Sequence, residues 1–393
     1  MVTKVTIEAF KSIERVEVEL ALVNVFVGAN GSGKSNLLES IGVLSAAASG
    51  RVDDEALLRR GVRPGLPRLY RCALKGLRHS SMSFSAECEK GSYKVSLLSP
   101  MKASGSAWRY QSESWTLGER ELVGRSEGTR VGPNPEAGLA ALRAVDREAG
   151  DPALMLLDLL RNYAIYEPNT PTLRGITPEL QPRDPVGLSG GGLPQAIRTL
   201  IRTFRQDGRM RASYLHFREL IDWAKATGSI PVSRLNLSPS AATSRLAVKF
   251  VDRYMKEGRN VLSGTDASEG ALYVLFAAVM ALDSRTPKLV AIDNIDHGLN
   301  PRLAQALMRR ICDAIVDAEI PRQLLLTTHN PQALDGLPLK DDRVRLFTVS
   351  RSSTGRTIVR RVIVSDKLIA MSKEGWTLSR MWVMGHLGGV PNV

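Results

Sequence analysis

The sequence predicts an α/β fold built on a buried parallel sheet, with an antiparallel β lobe and a helical lobe added to it. An apolar, β-branched run at 22–27 is followed by a glycine-rich stretch and then by helical spacing. Two more apolar runs, at 288–293 and 323–329, each end in a polar residue, which is typical of parallel strands buried on both faces. Short alternating segments between 80 and 130 predict the antiparallel lobe.

The glycine-rich stretch, residues 28–35, matches the pattern G-x-x-x-x-G-K-[ST] between a predicted strand and a predicted helix. In this P-loop, or Walker A motif, backbone amides surround nucleotide phosphates, the lysine reaches the terminal phosphate and the serine hydroxyl binds Mg²⁺. The sequence therefore predicts ATP and Mg²⁺ as cofactors. The predicted cofactor-binding residues of the loop are Gly28, Ala29, Asn30, Gly31, Ser32, Gly33, Lys34, Ser35 and Asn36.

Composition favours a polyanionic partner in a reducing compartment. The chain of 393 residues has 53 Lys and Arg against 40 Asp and Glu, a formal net charge of +13. Cys72, Cys88 and Cys312 are widely spaced and lack a C-x-x-C pair, which argues against a disulfide framework and a zinc site. The longest apolar run, 272–282, is too short to span a bilayer. We expect a cytoplasmic protein with DNA or RNA as partner and no membrane contact.

Two predicted strands end in residues suited to the second half of an ATP site. Asp293 follows one of them, where a carboxylate can bind the Mg²⁺ held by Ser35. His329 follows the next. An aspartate that caps a strand-to-loop turn is the alternative for Asp293 taken alone, and His329 weakens that alternative. Asp293 is thus a predicted catalytic residue, and the resemblance described next implies a catalytic role for His329 as well.

Five segments together resemble the RecF/SMC/OLD branch of ABC-type ATPases. They are Ile7–Ile13, Gly33–Glu39, Ser268–Gly270, Ile292–Asp293 and Thr328–Pro331, and the resemblance covers about 1–50 and 262–350. It implies an ABC-type ATPase head whose histidine senses the γ-phosphate. It further implies that two heads enclose two ATP molecules, each bound by the P-loop of one head and the signature serine of the other.

The resemblance assigns the signature to Ser268, Glu269 and Gly270, which precede an apolar helical run at 271–282. A helix N-terminus favours phosphate through its free amides and its dipole. A second candidate, Leu188–Gly191, spells the start of the transporter signature LSGG but lies more than a hundred residues before Asp293. The glycines of that candidate are interpreted as a tight turn before a helix that starts near Pro194.

The sequence departs from the family at the catalytic base. Asn294 stands where the family usually has a glutamate, and an amide can orient water but cannot accept its proton. Asp296 is the predicted substitute if its loop brings it near the water. The sequence therefore predicts slow ATP hydrolysis. The alternative is a scaffold protein that binds the nucleotide without hydrolysing it.

Two basic segments are candidate nucleic-acid surfaces. Arg198, Arg202, Arg205 and Arg209 recur at helical spacing, which predicts one basic face on one helix. A solvated surface is the alternative for such a stripe. The second segment carries seven basic residues and no acid: Arg59, Arg60, Arg63, Arg68, Arg71, Lys75 and Arg78.

The predicted organisation is one discontinuous head with core segments at about 1–50 and 262–350. A β-rich lobe at about 51–135, a helical insert at about 136–261, and a hairpin and tail at 351–393 complete it. The tail from Trp376 is interpreted as packed rather than as a docking segment. Only 64 residues follow His329, and the acids there lack the clustering of a Toprim nuclease: Asp335, Asp341, Asp342 and Asp366.

These features and the resemblance predict a nucleotide-controlled switch. Its expected partners are a second copy in an ATP-dependent homodimer or higher homo-oligomer, DNA or RNA, and a separate effector such as a nuclease. The resemblance points to anti-phage defence, with DNA repair as the alternative. A transporter subunit is disfavoured because Lys34 and Ser268 are 234 residues apart, more than a compact transporter head requires.

Overall fold

The computed structural model describes residues 1–77, 79–100, 107–126, 134–148, 150–204, 207–232, 246–319 and 321–388. The first half of the chain contains β1 (Val2–Phe10), β2 (Ile13–Glu19), β3 (Val23–Val27), α1 (Lys34–Ala48), α2 (Asp54–Leu58), β4 (Met82–Cys88), β5 (Gly91–Leu98), β6 (Arg109–Leu117), β7 (Arg120–Arg125), α3 (Leu139–Val145), α4 (Leu154–Arg161), β8 (Ile165–Tyr166), α5 (Thr170–Leu173) and α6 (Leu193–Thr203). The second half contains α7 (Gly208–Glu219), β9 (Ala224–Pro231), β10 (Leu246–Asp252), β11 (Val261–Ser263), α8 (Glu269–Leu282), β12 (Leu289–Ile292), α9 (Pro301–Val316), β13 (Gln323–Thr328), β14 (Val344–Arg351), β15 (Thr357–Arg361), α10 (Asp366–Lys373) and α11 (Leu378–Val383).

The central sheet has the strand order β15-β14-β3-β13-β12-β8. All neighbouring pairs are parallel except β14 and β15, which form an antiparallel hairpin. Every residue of β3, β12 and β13 is buried, as expected for strands covered on both faces. On β13, Leu324 and Leu326 join the core that contains α8 and α9, whereas Leu325 joins the core around α1.

An antiparallel sheet of order β2-β1-β4-β5-β6-β7 covers the other side of α1. The predicted antiparallel segments are therefore present, but they extend the sheet that β1 and β2 begin. α1 packs against β1, β4, β5 and α4, and nearly all its residues are buried. A helix enclosed in this way needs apolar residues on all sides, and the sequence of α1 supplies them.

The predicted all-helical insert at 136–261 is wrong in its second part. β9, β10 and β11 form a separate antiparallel sheet there, and β9 and β10 pack on α6. In β10, Val248 and Phe250 are buried two residues apart, which is strand spacing. The prediction carried the helical pattern of α6 and α7 too far because β9 contains Gly228 and ends at Pro231, a weak strand signal.

Ile165 and Tyr166 also lie within the predicted helical insert at about 136–261, but α4 ends at Arg161. Ile165 and Tyr166 form β8, the edge strand of the central sheet, because they pair with β12. The predicted hairpin is present as β14 and β15, but it begins at Val344, before the predicted bound of residue 351. In the tail, Trp382 is buried in the core and Ser379 hydrogen-bonds Asp335, so α11 packs against the head, whereas Val383 and Met384 are exposed.

Among the helices that the structure describes, none combines the length and apolar character needed to cross a membrane.

Candidate nucleotide-binding site

The carboxyl ends of three adjacent parallel strands define the candidate site. β3 leads into the P-loop, β13 leads to His329, and β12 leads to Asp293. Ligands of open α/β sheets bind at this edge because the loops after parallel strands converge there. The structure thus brings together residues from three separate parts of the chain.

The P-loop turns sharply from β3 into α1. Gly31 and Gly33 have φ values of 76° and 109°, which favour glycine, and α1 begins at the next residue, Lys34. Lys34 Nζ donates to the carbonyl oxygens of Gly28 at 2.7 Å and Ala29 at 3.0 Å. Burial lowers the pKa of Lys34, and the carboxylates of Asp293 and Asp296 oppose this effect. The Lys34 ammonium group is thus bound to the backbone of the P-loop. It would have to leave these two carbonyl oxygens in order to bind a phosphate.

The predicted metal ligands are in contact. Ser35 Oγ donates to Asp293 Oδ2 at 2.8 Å, and Thr327 Oγ1 donates to the other carboxylate oxygen. Hydroxyl and carboxylate oxygens are the donors that Mg²⁺ prefers. Ser32 Oγ, in the P-loop, is buried without a hydrogen-bond partner. These residues therefore fit a Mg²⁺-nucleotide.

The β14–β15 hairpin supports the P-loop, a feature that sequence reasoning missed. Thr357 Oγ1 lies 2.7 Å from Ser12 Oγ and 3.2 Å from the carbonyl oxygen of Ser32. Asn36, which is predicted to bind the cofactor, donates from Nδ2 to Ser12 Oγ at 2.7 Å. A Cβ atom at Gly33 would overlap the Thr357 side chain. The loop glycine is required by this packing as well as by its backbone conformation.

The residues after Asp293 form a compact loop under His329. Asn294 has a φ of 53°, and its backbone N–H donates to Thr327 Oγ1 at 2.9 Å. Asp296 is buried; its Oδ2 accepts from the Asn330 amide at 3.1 Å and lies 3.9 Å from His329 Nδ1. Asp296 Oδ1 has no partner. The structure places Asp296 beside the predicted γ-phosphate sensor.

The predicted signature residues begin α8. Ser268 is the exposed N-cap of α8, and its side chain makes no capping hydrogen bond. Glu269 accepts a hydrogen bond from Thr170 Oγ1, and its Oε1 lies 3.8 Å from His297 Nε2. Gly270 faces the same loop that follows Asp293. The signature and the loop that follows Asp293 are therefore packed together.

The second signature candidate, the turn at 188–191, is an internally satisfied structural turn. Glu179 Oε2 accepts from the amides of Ser189 at 3.1 Å and Gly191 at 3.0 Å. A phosphate would need these amides, but a carboxylate of the same chain already uses them. The structural interpretation of this turn agrees with these contacts.

Glu167 is a site residue that sequence reasoning missed. It directly follows β8, and the amide of Asp293 donates to the carbonyl oxygen of Tyr166 at 2.9 Å. Its side chain reaches solvent. The surrounding protein partly desolvates its carboxyl group and the Asp293 carboxylate lies nearby, and both raise the pKa of Glu167. The sequence signal for this position is the pair of apolar residues before it, and that pair lies within the predicted helical insert.

The predicted four-arginine face on one helix is wrong. Arg198 and Arg202 are exposed on α6, but that helix ends at Thr203. Arg209 lies on α7, which Asp207 caps, and pairs with Glu319 at 3.3 Å. Arg205 lies outside the described residues. Asp207 begins a second helix, α7, so the helical spacing of the four arginines does not continue on one helix.

The second basic segment does not form one basic surface. Arg60 is buried and donates to Ser45 Oγ, Ser49 Oγ and the carbonyl oxygen of Ala56 at 2.6–2.7 Å. Arg63 binds the buried carboxylate of Glu39, which also pairs with Lys11. Arg59 pairs with Glu55, and Arg71 donates to the carbonyl oxygen of Ser80. Arg68 and Lys75 are exposed, and Arg78 lies outside the described residues. Acids and hydroxyls from α1 and α2 complement much of this charge.

Comparison with known proteins relates this geometry to a family. A family described as "AAA domain, putative AbiEii toxin, Type IV TA system" matches residues 130–335, and one described as "AAA ATPase domain" matches residues 1–92. The proteins named "DNA replication and repair protein RecF" from Leifsonia xyli subsp. xyli and Streptomyces avermitilis are each 44% identical over 69 residues. Each match covers 17% of this chain and 18% of the relative, so the chain spans less than a fifth of these relatives.

Two solved structures have the same overall fold. The SmcHead bound to the C-winged helix domain of ScpA has a TM-score of 0.55 and 13% identity, and the match covers 94% of this chain and 99% of that one. The Smc head domain with an extended coiled coil, bound to the C-terminal domain of ScpA derived from Pyrococcus furiosus, has a TM-score of 0.52 and 12% identity, covering 96% and 100%. At these identities the likeness shows the fold alone. Because the first family matches more than half of the chain, the protein belongs to that AAA family, as a RecF/SMC-like ABC-type ATPase.

Proposed function

We propose that the protein binds ATP and Mg²⁺, pairs two heads around the nucleotide and hydrolyses it slowly, as a switch in anti-phage defence. The switch would act on nucleic acid and on a separate effector such as a nuclease. The observation that carries the proposal is the convergence of Lys34, Ser35 and Asp293, with Ser35 Oγ 2.8 Å from the Asp293 carboxylate. P-loop ATPases need this set of groups.

In this proposal the P-loop amides, glycines included, surround the phosphates. Lys34 exchanges the carbonyl oxygens of Gly28 and Ala29 for the terminal phosphate. Ser35 and Asp293 hold Mg²⁺, which when bound neutralises charge on the phosphates. His329, exposed at the end of β13, contacts the γ-phosphate.

Head pairing is supported by the signature geometry. Ser268 is exposed at the N-terminus of a fourteen-residue helix, and its hydroxyl makes no capping hydrogen bond. Both the hydroxyl and the helix N-terminus are therefore available to the ATP bound by a second copy. Glu269 and Gly270 hold this end of α8 against the loop after Asp293. That contact would link ATP at one site to the loop of the other.

We expect Lys34→Ala to abolish ATP binding and Ser268→Arg to preserve ATP binding while it prevents ATP-dependent pairing. Lys34 holds phosphate within one head, whereas an arginine at Ser268 blocks the surface offered to the partner. Nucleotide affinity by titration and molecular mass with and without ATP measure the two effects. Ser284→Arg, at an exposed serine after α8, is a size-matched control. Equal loss of nucleotide affinity in the Lys34 and Ser268 variants would contradict the assignment to the partner's site.

Slow turnover is proposed because Asn294 cannot accept the proton of the attacking water. If the protein does not hydrolyse ATP at all, the nucleotide would only organise the head pair, and the protein would be a nucleotide-bound scaffold. Phosphate release by the wild type at saturating ATP separates these cases. Release that requires Lys34 supports an ATPase, and binding without release supports the scaffold.

DNA repair is the second candidate function, favoured by the similarity to RecF over 69 residues. The two functions predict different phenotypes of a strain that lacks the gene. Increased killing by phage with normal survival after DNA damage supports defence, and the opposite pattern supports repair.

A further inference from the structure

We propose that Glu167 is the carboxylate that accepts the proton of the attacking water in this ATPase, in place of the glutamate that Asn294 replaces. This inference deepens the proposed ATPase function and rests on it. Its basis is the register of β8 against β12, the strand that leads to Asp293.

Strand register places Glu167 opposite Asp293. Ile165 pairs with Ala291 and Tyr166 pairs with Ile292 in a parallel ladder, so Glu167 and Asp293 are the next residues on the two strands. The hydrogen bond from the Asp293 amide to the Tyr166 carbonyl oxygen, 2.9 Å, extends the ladder to this pair. Paired residues on adjacent parallel strands lie about 4.8 Å apart, and their side chains leave the same face of the sheet.

Asp293 contacts Ser35 of the P-loop. Glu167, which follows β8 and lies opposite Asp293, therefore lies at the same edge of the sheet as the P-loop. A proton acceptor also needs a path to solvent, and the Glu167 side chain has one. The backbone there is held: the Glu167 amide donates to the carbonyl oxygen of Leu188 at 2.8 Å. The Glu167 backbone is therefore held beside the predicted metal ligand Asp293, and its side chain is open to water.

Asp296, the alternative acceptor, has a different environment. Its side chain is only 2% exposed, one oxygen accepts from the Asn330 amide, and the same oxygen faces His329. Its position suits a positioning residue that orients His329. An acid buried in this way has no direct route for returning a proton to solvent.

The proposed reaction is ordinary phosphoryl transfer to water. The water oxygen attacks the γ-phosphorus and forms a new P–O bond. The bond between the γ-phosphorus and the bridging oxygen breaks, and its electron pair leaves with ADP. The water proton passes to the Glu167 carboxylate and from there to solvent. The products are ADP and inorganic phosphate.

A double-mutant cycle between Glu167→Gln and Asn294→Glu tests the proposal on the full-length protein. Loss of a general base typically slows a reaction about a hundredfold or more, so we expect Glu167→Gln to lower kcat by about that factor. ATP affinity and ATP-dependent pairing should be unchanged, because Gln has the same shape as Glu. In the Asn294→Glu background, a second carboxylate is present, and Glu167→Gln should then change kcat less than about threefold.

Each other outcome counts against the assignment. Wild-type kcat in Glu167→Gln would exclude Glu167 as base, and an equal loss in both backgrounds would give it another role. A changed Mg²⁺ dependence would make Glu167 a metal ligand instead. Asp296→Asn is the comparator: a loss there that Asn294→Glu rescues, without one in Glu167→Gln, would assign the base to Asp296. Glu257→Gln, at an exposed glutamate, controls for charge removal.

Failure of the proposed function gives a different result. If the wild type binds no ATP, the ATPase proposal itself fails. If the wild type binds ATP and releases no phosphate, the general-base assignment fails and nucleotide binding stands.

Discussion

At the residue scale, the backbone conformation of Asn294 suits its residue type. Its φ of 53° lies in the left-handed region, where asparagine is among the better tolerated residues. In this conformation the backbone N–H of Asn294 donates to the Thr327 hydroxyl, which in turn donates to the Asp293 carboxylate. The loop geometry therefore favours asparagine at this position.

Asn294→Glu is expected to raise ATP turnover and to shorten the life of the paired state. The new carboxylate would stand where related ATPases place their base, provided that the loop keeps its shape. The left-handed backbone should cost the variant about 1 kcal/mol of unfolding free energy, because glutamate tolerates it less well than asparagine. Steady-state phosphate release and urea unfolding measure the two effects. Asn294→Asp is the matched control, and turnover no faster than wild type would show that the base lies elsewhere.

At the element scale, the β14–β15 hairpin packs against the P-loop of the candidate site. Its Thr357 contacts Ser12 after β1 and the carbonyl oxygen of Ser32 in the P-loop. A Cβ atom at Gly28 would likewise overlap the backbone oxygen of Val349 on β14. The P-loop therefore fits between α1 and this hairpin. Hairpin residues far from the motif in sequence are expected to affect ATP affinity.

Thr357→Val should weaken ATP binding several-fold and lower the unfolding free energy by about 1 kcal/mol. The substitution keeps the shape but removes a buried hydroxyl, so Ser12 and the P-loop no longer have this hydrogen-bond partner. Nucleotide titration and urea unfolding provide the measurements. Thr354→Val is the control, because Thr354 is exposed in the turn of the same hairpin. Similar affinities in the two variants would show that the hairpin does not support the loop.

At the scale of the whole molecule, charge is the property that concerns nucleic acid. The formal net charge of +13 favours polyanions, but several arginines are committed to internal contacts. Arg60 and Arg63 illustrate this, since their partners are on or beside α1 and α2. Exposed arginines on α6, Arg198 and Arg202, are better candidates for phosphate contact. Net charge alone therefore overestimates the basic surface.

Replacing Arg198 and Arg202 with Gln should weaken binding of duplex or single-stranded DNA without changing sequence preference. Each arginine that neutralises a phosphate releases counterions, so the slope of log affinity against log salt should fall by about one for each such arginine replaced. Affinities over a salt series test this. Arg209→Gln is the matched control, because Arg209 lies on another helix and pairs with Glu319. An unchanged slope in the double variant would return this face to a solvated surface.

The sequence by itself determined the parts of the site that neighbouring residues encode. Strand, glycine loop and helix N-terminus follow one another at 22–48, so Lys34 and Ser35 could be assigned before any contact was known. Asp293 and His329 could be predicted because apolar runs end directly before them and because the family resemblance gives the histidine a role. These signals are local in the chain, and burial of parallel strands makes them strong.

Only the tertiary structure decided which distant residues meet. β8 has two residues, too few to show an alternating pattern, so its pairing with β12 and the position of Glu167 were not predictable. The contact of Thr357 with the P-loop and the occupation of the turn at 188–191 by Glu179 likewise join separate segments. Such contacts depend on sheet order and side-chain packing, which periodicity along the chain does not encode.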